Sequence, residues 1–286
     1  MKHSMILVGL ACLGLAACSS EEYESNEPSR ELAHPVRLAT RAVGDANSQV
    51  GIYMVYGSMQ ASDNYLNNIS LTGDGAGTWS PEQTIYWKDN ETKADFIGYA
   101  PYQASVSNAL ACDFSVQADQ STVAAFEASD FLWGKLSDQE PTDKVLNLTL
   151  NHIFSQVIVK VAAGEGFTED ELKNGSLSVK LNGLRTNAIV NLSDGSITAD
   201  GSTASITPYA QQTLQYAAIV VPQQVESTGL VTVTWNGSPY TLTRGMTFAG
   251  GKRYTLTVTL KKTQGGINIG IGDWEDAGED FGGTVN

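Results

Sequence analysis

Histidine, the side chain that most readily transfers protons near neutral pH, is scarce in this sequence. The sequence has three histidines in 286 residues, and two of them, His3 and His34, lie in the polar or signal-like N-terminal part. A serine hydrolase would therefore depend on His152, yet no Gly-x-Ser-x-Gly elbow is present. We interpret His152 as a packed or hydrogen-bonded histidine, and we predict that the chain is not an enzyme.

The sequence also lacks the usual spacings of metal and phosphate sites. No Cys/His cluster has zinc spacing, and no phosphate-cradling Gly loop opens a helix. Two segments that contain carboxylates could bind calcium, but neither has EF-hand spacing. They are the Asp74-Gly-Ala-Gly77 loop and the tail residues Asp273, Glu275, Asp276, Glu279 and Asp280. We predict no metal ion and no cofactor.

Aromatic loops offer a different kind of chemistry, the stacking of a sugar ring on a side chain. Thr78-Trp-Ser-Pro81 is one such loop, although packing in a core is the more common role of a tryptophan. Sugar binding is therefore the weaker of the two interpretations for this segment.

The most specific chemical signal is Cys18, which follows Leu15 and the small residues Ala16 and Ala17. A basic start, Met1-Lys-His3, precedes an uncharged run from Met5 to Ala17, which is shorter than the roughly 20 residues that span a bilayer. This layout predicts a secretory signal, and Leu15–Cys18 resembles the lipobox of bacterial lipoproteins. Residues 1–18 would then be the signal, with Cys18 carrying palmitate-type acyl chains. The alternative is an ordinary secretory signal with a chance cysteine.

Composition limits the partners of the remaining chain. The formal charge of −14 argues against nucleic acid and against an anionic membrane surface as partners. Of the three cysteines, Cys12 leaves with the signal and Cys18 takes lipid, so Cys112 has no partner for an internal disulfide. Cys112 lies among apolar residues and is interpreted as a small buried side chain.

The chain after Cys18 divides into a linker and two strand-rich parts. Residues 19–48 are polar and contain a short alternating segment, Pro35–Thr40, in which Val36, Leu38 and Thr40 share one face. We predict an N-terminal β-sandwich domain over 49–144 and a C-terminal one over 145–286, and therefore an all-β, antiparallel fold.

Local signals refine the second part. Asn182-Gly183, Asp194-Gly195, Asp200-Gly201 and Asn236-Gly237 are dipeptides that favour tight hairpins. The one convincing helix is Thr168–Lys173, with Thr168 as its N-cap and acidic residues in its first turn.

Taken together, the landmarks resemble the Bacteroidetes fimbrillin family. They are the lipobox, Thr84–Trp87, Ala94–Pro101, Asp130–Gly134, Leu148–Val157, Val220–Gln223, Phe248–Tyr254 and Ile271–Trp274. The resemblance implies two transthyretin-like, Greek-key sandwiches and an outer-membrane, cell-surface lipoprotein. An acidic tract after the lipidated cysteine, here Ser19–Glu24, resembles the family's surface-export signal.

The resemblance also implies how such a protein assembles. In polymerising members a trypsin-like protease cuts after an arginine and removes the first strand of the N-terminal domain. A strand of another fimbrillin-type subunit then fills the groove. Here Arg41 is the matching residue, Pro35–Thr40 the removable strand, and Ile267–Ile271 a possible donor strand. The acidic, Gly-rich tail after Trp274 makes a poor donor.

Two functions follow as expectations. The first is a structural or adhesive pilus subunit, whose place as shaft, tip or anchor the sequence leaves open. The alternative is a surface lipoprotein that binds glycan or host protein and does not polymerise.

Overall fold

The protein is described by a computed structural model that covers residues 34–40, 48–75, 79–263 and 266–271. Strands make up 59% of these residues and helices 5%. The all-β fold class predicted from the sequence is therefore confirmed. Within the same residues, no helix is long and apolar enough to cross a bilayer.

The described residues form eighteen strands and two short helices. The strands are β1 (Arg37–Thr40), β2 (Gln49–Val55), β3 (Leu66–Gly73), β4 (Trp79–Pro81), β5 (Ala94–Ala100), β6 (Cys112–Ser115), β7 (Leu132–Gln139), β8 (Val145–Leu148), β9 (Asn151–His152), β10 (Ser155–Ala163), β11 (Leu177–Asn191), β12 (Ser196–Ile206), β13 (Tyr209–Gln212), β14 (Gln215–Val220), β15 (Gln223–Trp235), β16 (Ser238–Phe248), β17 (Arg253–Thr263) and β18 (Gly266–Ile271). The helices are α1 (Val123–Glu127) and α2 (Glu169–Asn174).

Two sheets, here called the N-terminal sheets, share one core. One has six strands in the order β4-β3-β2-β5-β7-β9, and the other is the pair β1-β8. Their common core includes Ile52, Phe96 and Trp87 from the larger sheet's side, and Leu38 and Leu148 from the strand pair. Alternation along the strands explains this arrangement, because every second side chain of a strand faces the same layer.

Two five-stranded sheets, here called the C-terminal sheets, surround a second core, to which Tyr53 and Tyr99 of the N-terminal sheets also contribute. The strand orders of the C-terminal sheets are β13-β14-β10-β17-β18 and β12-β11-β15-β16, and β6 adds to the long strand β11. Buried valines at alternate positions of β10, namely Val157, Val159 and Val161, pack with apolar residues of the opposite sheet. The two sheets therefore pack face to face, with one apolar layer between them.

The strand pairing does not divide the chain at residues 144/145 into an N-terminal and a C-terminal group of strands. β8 pairs with β1 and β9 with β7, whereas β6, earlier in the chain, pairs with β11. Residues 145–152 thus group with the N-terminal sheets and residues 112–115 with the C-terminal sheets. The described residues all belong to one compact unit, and the division into domains 49–144 and 145–286 stays a prediction.

Most strand pairs are antiparallel, as predicted, but two are parallel. β10 lies parallel to β17, and β1 lies parallel to β8. A parallel pair needs a long connection. Here the connections consist mainly of other strands of the fold, since β11 to β16 and the short helix α2 lie between β10 and β17.

The four turn dipeptides have two different roles. Asp194-Gly195 joins β11 to β12 and Asn236-Gly237 joins β15 to β16, and both Asn236 and Gly237 have positive φ. Asn182-Gly183 and Asp200-Gly201 instead lie inside β11 and β12 at irregularities in the strand register. A β-bulge favours a positive-φ residue as a tight turn does, so for these two dipeptides the hairpin prediction was wrong.

The predicted helix is present, and a second one was missed. Thr168 accepts a hydrogen bond from the Glu171 N–H, and the Glu171 carboxylate accepts one from the Thr168 N–H, a capping box. α1 begins after Thr122, whose hydroxyl accepts a hydrogen bond from the Ala125 N–H. The apolar run after Thr122 is typical of a strand as well as of a short helix, so its pattern alone could not separate the two.

Candidate assembly site

Some of the predicted site residues are described by the structure and others are not. Cys18 and Arg41 lie outside the described residues. The segment between them that was expected to be removable, Pro35–Thr40, is described, and most of it forms β1.

The segment that contains β1 is held by backbone pairing to two parts of the chain. β1 runs parallel to β8, with Arg37 opposite Val145 and Thr40 opposite Leu148. Just before β1, Pro35 bridges to Tyr86. The Val36 N–H donates to the Ile85 carbonyl at 2.8 Å, and the Trp87 N–H donates to the His34 carbonyl at 3.0 Å.

Two side chains of this segment enter the core of the N-terminal sheets. Val36 is 8% exposed and Leu38 is 9% exposed, whereas Arg37 between them is exposed. This confirms the prediction that Val36 and Leu38 point inward. Burying an aliphatic side chain of this size contributes about 1.5–3 kcal/mol, so the short strand seals a substantial part of the apolar core.

An ion pair adds little to this attachment. The His34 Nδ1 lies 2.7 Å from the Asp143 Oδ1, but the two side chains are 39% and 69% exposed. Exposed pairs contribute little because water screens them and holding both side chains still costs entropy. The apolar contacts and the backbone bonds therefore hold the segment in place.

The candidate donor strand Ile267–Ile271 lies within β18. This strand pairs antiparallel with β17, from Thr263 opposite Gly266 to Val258 opposite Ile271. Among the described residues, β18 forms one edge of its five-stranded sheet. Its backbone is thus already paired within the same chain, and acting as a donor would require it to leave β17. The tail 275–286 lies outside the described residues.

His152 is hydrogen-bonded, as interpreted from the sequence. Its Nδ1 lies 2.6 Å from the Asp130 Oδ2, and its side chain is half exposed. This hydrogen bond raises the pKa of His152 above its ordinary value, while burial and the nearby Arg253 act in the opposite direction. Among the described residues no serine hydroxyl is hydrogen-bonded to His152, so the structure brings a histidine and a carboxylate together without a nucleophile.

Cys112 is buried, with 2% of its surface exposed. Burial raises the pKa of its thiol to about 11. A thiol with this pKa is protonated at neutral pH and is a poor nucleophile, which agrees with the interpretation of Cys112 as a small apolar residue.

The candidate calcium and sugar segments have different outcomes. The described residues contain no group of three or more His, Cys, Asp or Glu arranged to hold a metal ion, and the acidic tail lies outside them. Trp79–Pro81, expected to be part of a loop, forms strand β4 instead. Trp79 is only 6% exposed and belongs to the core. Trp79 therefore offers no open ring face to a sugar.

Two other aromatic residues, not singled out from the sequence, are exposed. Tyr65 is 45% and Tyr86 is 51% exposed, and both line one pocket on the N-terminal sheets. The signal for Tyr86 was present in Thr84–Trp87, because Ile85 and Trp87 are buried on either side of it. Alternation then points Tyr86 outward.

The chain is similar to known proteins along most of its length. The family described as "Fimbrillin-like" matches residues 39–274. A Bacteroides uniformis protein named "Putative fimbrium subunit Fim1C" is 24% identical over 297 residues, covering 96% of this chain and 95% of that protein.

Solved structures share the fold. A crystal structure from Bacteroides uniformis, described as a "putative cell adhesion protein", superposes with a TM-score of 0.66 at 20% identity, covering 87% of this chain and 100% of that one. A Bacteroides ovatus protein with the same description gives a TM-score of 0.64 at 18% identity, covering 87% and 99%. A fimbrial protein from Bacteroides vulgatus gives 0.52 at 13% identity, covering 83% and 98%.

Proposed function

Because this chain belongs to the fimbrillin-like family, we propose that it is a fimbrial subunit at the bacterial cell surface, with a structural or adhesive role. This chain resembles a protein named as a fimbrium subunit over nearly its full length, and that similarity supports the proposed role. No catalytic step is part of the proposal.

We further propose that the subunit assembles by strand exchange at the position of β1. The observation that carries this proposal is the burial of Val36 and Leu38, two side chains of the short segment Pro35–Thr40 that contains β1. Removing this strand would leave an apolar groove and would free backbone groups of β8 and of residues 85–87. An extended strand from another subunit would satisfy both needs, since strand addition supplies hydrogen bonds and side chains for the pockets.

Cleavage after Arg41 is proposed as the step that opens this groove. Arg41 directly follows the last residue of β1, so a cut there separates the strand from the rest of the sheet without breaking β2. A cut at Arg37 would instead require a protease to open the pairing of Arg37 with Val145. This difference makes Arg41 the better candidate.

Limited trypsin digestion of the folded chain tests the assembly. We expect a new N-terminus at Ala42, followed by a concentration-dependent ladder of oligomers on size-exclusion chromatography. An Arg41→Gln variant should stay uncut and monomeric, whereas Arg37→Gln, the matched control in the same segment, should behave like the parent chain. A cleaved product that stays monomeric at all concentrations would contradict strand exchange.

A monomeric cleaved product would favour the second candidate function, a surface lipoprotein that binds a ligand without polymerising. The observation on its side is β18, the candidate donor, which is already paired with β17.

We also propose that lipid on Cys18 anchors the subunit in the outer membrane. The support is the Leu15–Cys18 motif after a short uncharged run. Metabolic labelling with an alkyne-bearing palmitate should mark the parent chain and a Cys12→Ala control, but not Cys18→Ala. Label retained in Cys18→Ala would show that the lipobox interpretation is wrong. Membrane retention should follow the label, since more than one acyl chain gives stable anchoring.

A further inference from the structure

We infer that the pocket lined by Tyr65 and Tyr86 is a binding site for a neutral carbohydrate. This inference deepens the adhesive part of the proposed function by naming a ligand class. It does not depend on cleavage or assembly, because every residue used lies in the uncleaved chain.

The pocket has the size of a small-ligand site. Its volume is about 570 Å³, within the range of roughly 300–1,000 Å³ that is usual for such sites. Its apolar part comes from Leu66, Ile69 and Ile85, which pack into the core of the N-terminal sheets. Because these residues are fixed by that core, the base of the pocket is preformed.

Aromatic rings form part of the wall. Tyr65, Tyr86 and Tyr102 all line the pocket, and the first two are about half exposed. A pyranose ring presents a face of C–H groups that packs on an aromatic ring, while its hydroxyls stay at the edge. A tyrosine suits this because it is apolar across the ring and polar at its tip.

The Tyr65 ring is held in place before any ligand arrives. The Tyr65 hydroxyl donates to the Tyr86 carbonyl at 3.3 Å, and the Tyr65 ring lies edge-on to Tyr56 with 5.0 Å between ring centroids. The Tyr56 hydroxyl in turn accepts a hydrogen bond from the Lys88 N–H at 2.8 Å. Side chains fixed in this way lose less entropy on binding.

Amides and one carboxylate supply polar contacts. Gln49, Glu82 and Gln83 line the pocket and are exposed, and the structure shows no side-chain hydrogen bond for them within its described residues. Amide groups both donate and accept, and a carboxylate accepts from two hydroxyls. This mixture matches the hydroxyl groups around a sugar ring.

The charges in the pocket select against other ligand classes. Glu82 is the one ionisable residue at pH 7 among the described residues that line it, and no Lys, Arg or His is among them. A phosphate, a sulfated glycan or a sialic acid would therefore meet a carboxylate without a compensating cation. A neutral hexose-containing glycan meets no such penalty.

A glycan array probed with the uncleaved full chain, purified with Cys18→Ala to remain soluble, tests this inference. The array should include neutral oligosaccharides of glucose, galactose and mannose, together with sialylated and sulfated ones. We expect binding to be confined to neutral structures, and the strongest of them is then measured by isothermal titration calorimetry.

Substitutions of the tyrosines that line the pocket test whether the glycan binds there or elsewhere on the surface. Tyr86→Ala should weaken the affinity by on the order of tenfold or more, as expected for a central aromatic contact, while Tyr86→Phe should retain most of it. The control is Val123→Ala, an exposed apolar side chain on α1. A melting curve for each variant shows that the fold is kept, and Tyr65→Ala gives a second test if Tyr86→Ala unfolds.

Three outcomes would overturn the inference. They are absence of glycan binding at millimolar concentration, binding only to acidic glycans, and neutral-glycan binding that Tyr86→Ala and Tyr65→Ala leave unchanged. Failure of the oligomer ladder after trypsin would count against strand exchange alone, because the array uses the uncleaved monomer.

Discussion

The contact between His152 and Asp130 gives one residue a pH-dependent role in stability. The hydrogen bond from the imidazole to the carboxylate raises the pKa of His152, so the folded state binds a proton more tightly than the unfolded one. The stabilisation is fully present below the unfolded pKa of about 6.5 and is lost as the pH rises through the higher folded pKa.

We therefore expect Asp130→Asn to destabilise the protein more at about pH 5.5 than at about pH 8.5. The measurement is urea unfolding of both proteins at the two pH values. Asp143→Asn is the matched control, because Asp143 is 69% exposed whereas Asp130 is 21% exposed, and its ion pair should contribute little at either pH. An Asp130→Asn penalty that is equal at both pH values would show that the charge on His152 does not matter.

Among the elements, the short segment that contains β1 contributes two side chains to the core of the N-terminal sheets. β1 has four residues, and its segment buries both Val36 and Leu38. Its neighbours are nonlocal, with β8 about a hundred residues later in the chain. The segment is thus joined to the fold by side-chain burial and backbone pairing.

Leu38→Ala should lower the free energy of unfolding of the uncleaved protein by about 2–4 kcal/mol, because it leaves a cavity in the core of the N-terminal sheets. Arg37→Ala, on the exposed face of the same strand, should change it by less than about 0.5 kcal/mol. Chemical denaturation measures both. Similar effects of the two substitutions would mean that β1 is not packed as described.

Across the whole molecule, an aromatic cluster connects the N-terminal and C-terminal sheets. Tyr99 of β5 stacks on Phe131, and Phe131 contacts Phe114 of β6 and Phe154, with ring centroids 5.7, 4.9 and 5.9 Å apart respectively. Tyr99 belongs to the six-stranded sheet and Phe114 to the sheet of β11. All four rings are buried in one core.

Because this core is shared, we expect the uncleaved chain to unfold in a single calorimetric transition, with equal calorimetric and van't Hoff enthalpies. Phe131→Ala should lower the melting temperature of the whole transition, or split it by uncoupling the two parts. Phe126→Ala, which loses a less buried aromatic contact with Tyr209, is the control. Two well-separated transitions in the parent chain would contradict the coupling.

Features that depend on neighbours in the chain could be predicted from the amino-acid sequence alone. Alternation placed Val36 and Leu38 on one buried face, and Thr168 with Glu171 specified the start of α2. Abundant strand segments with few helices predicted the all-β class. Each of these follows from local backbone geometry, which a few consecutive residues fix.

The pairing partner of each strand could be read only from the three-dimensional structure. The parallel pairing of β1 with β8 and the pairing of β6 with β11 join residues far apart in sequence, and a strand's own pattern sets its faces but not its partner. The same limit applied to the tyrosines. Tyr65 and Tyr86 lie 21 residues apart in the sequence. They are neighbours on one pocket wall because β3 and the segment 82–87 pack on the same core.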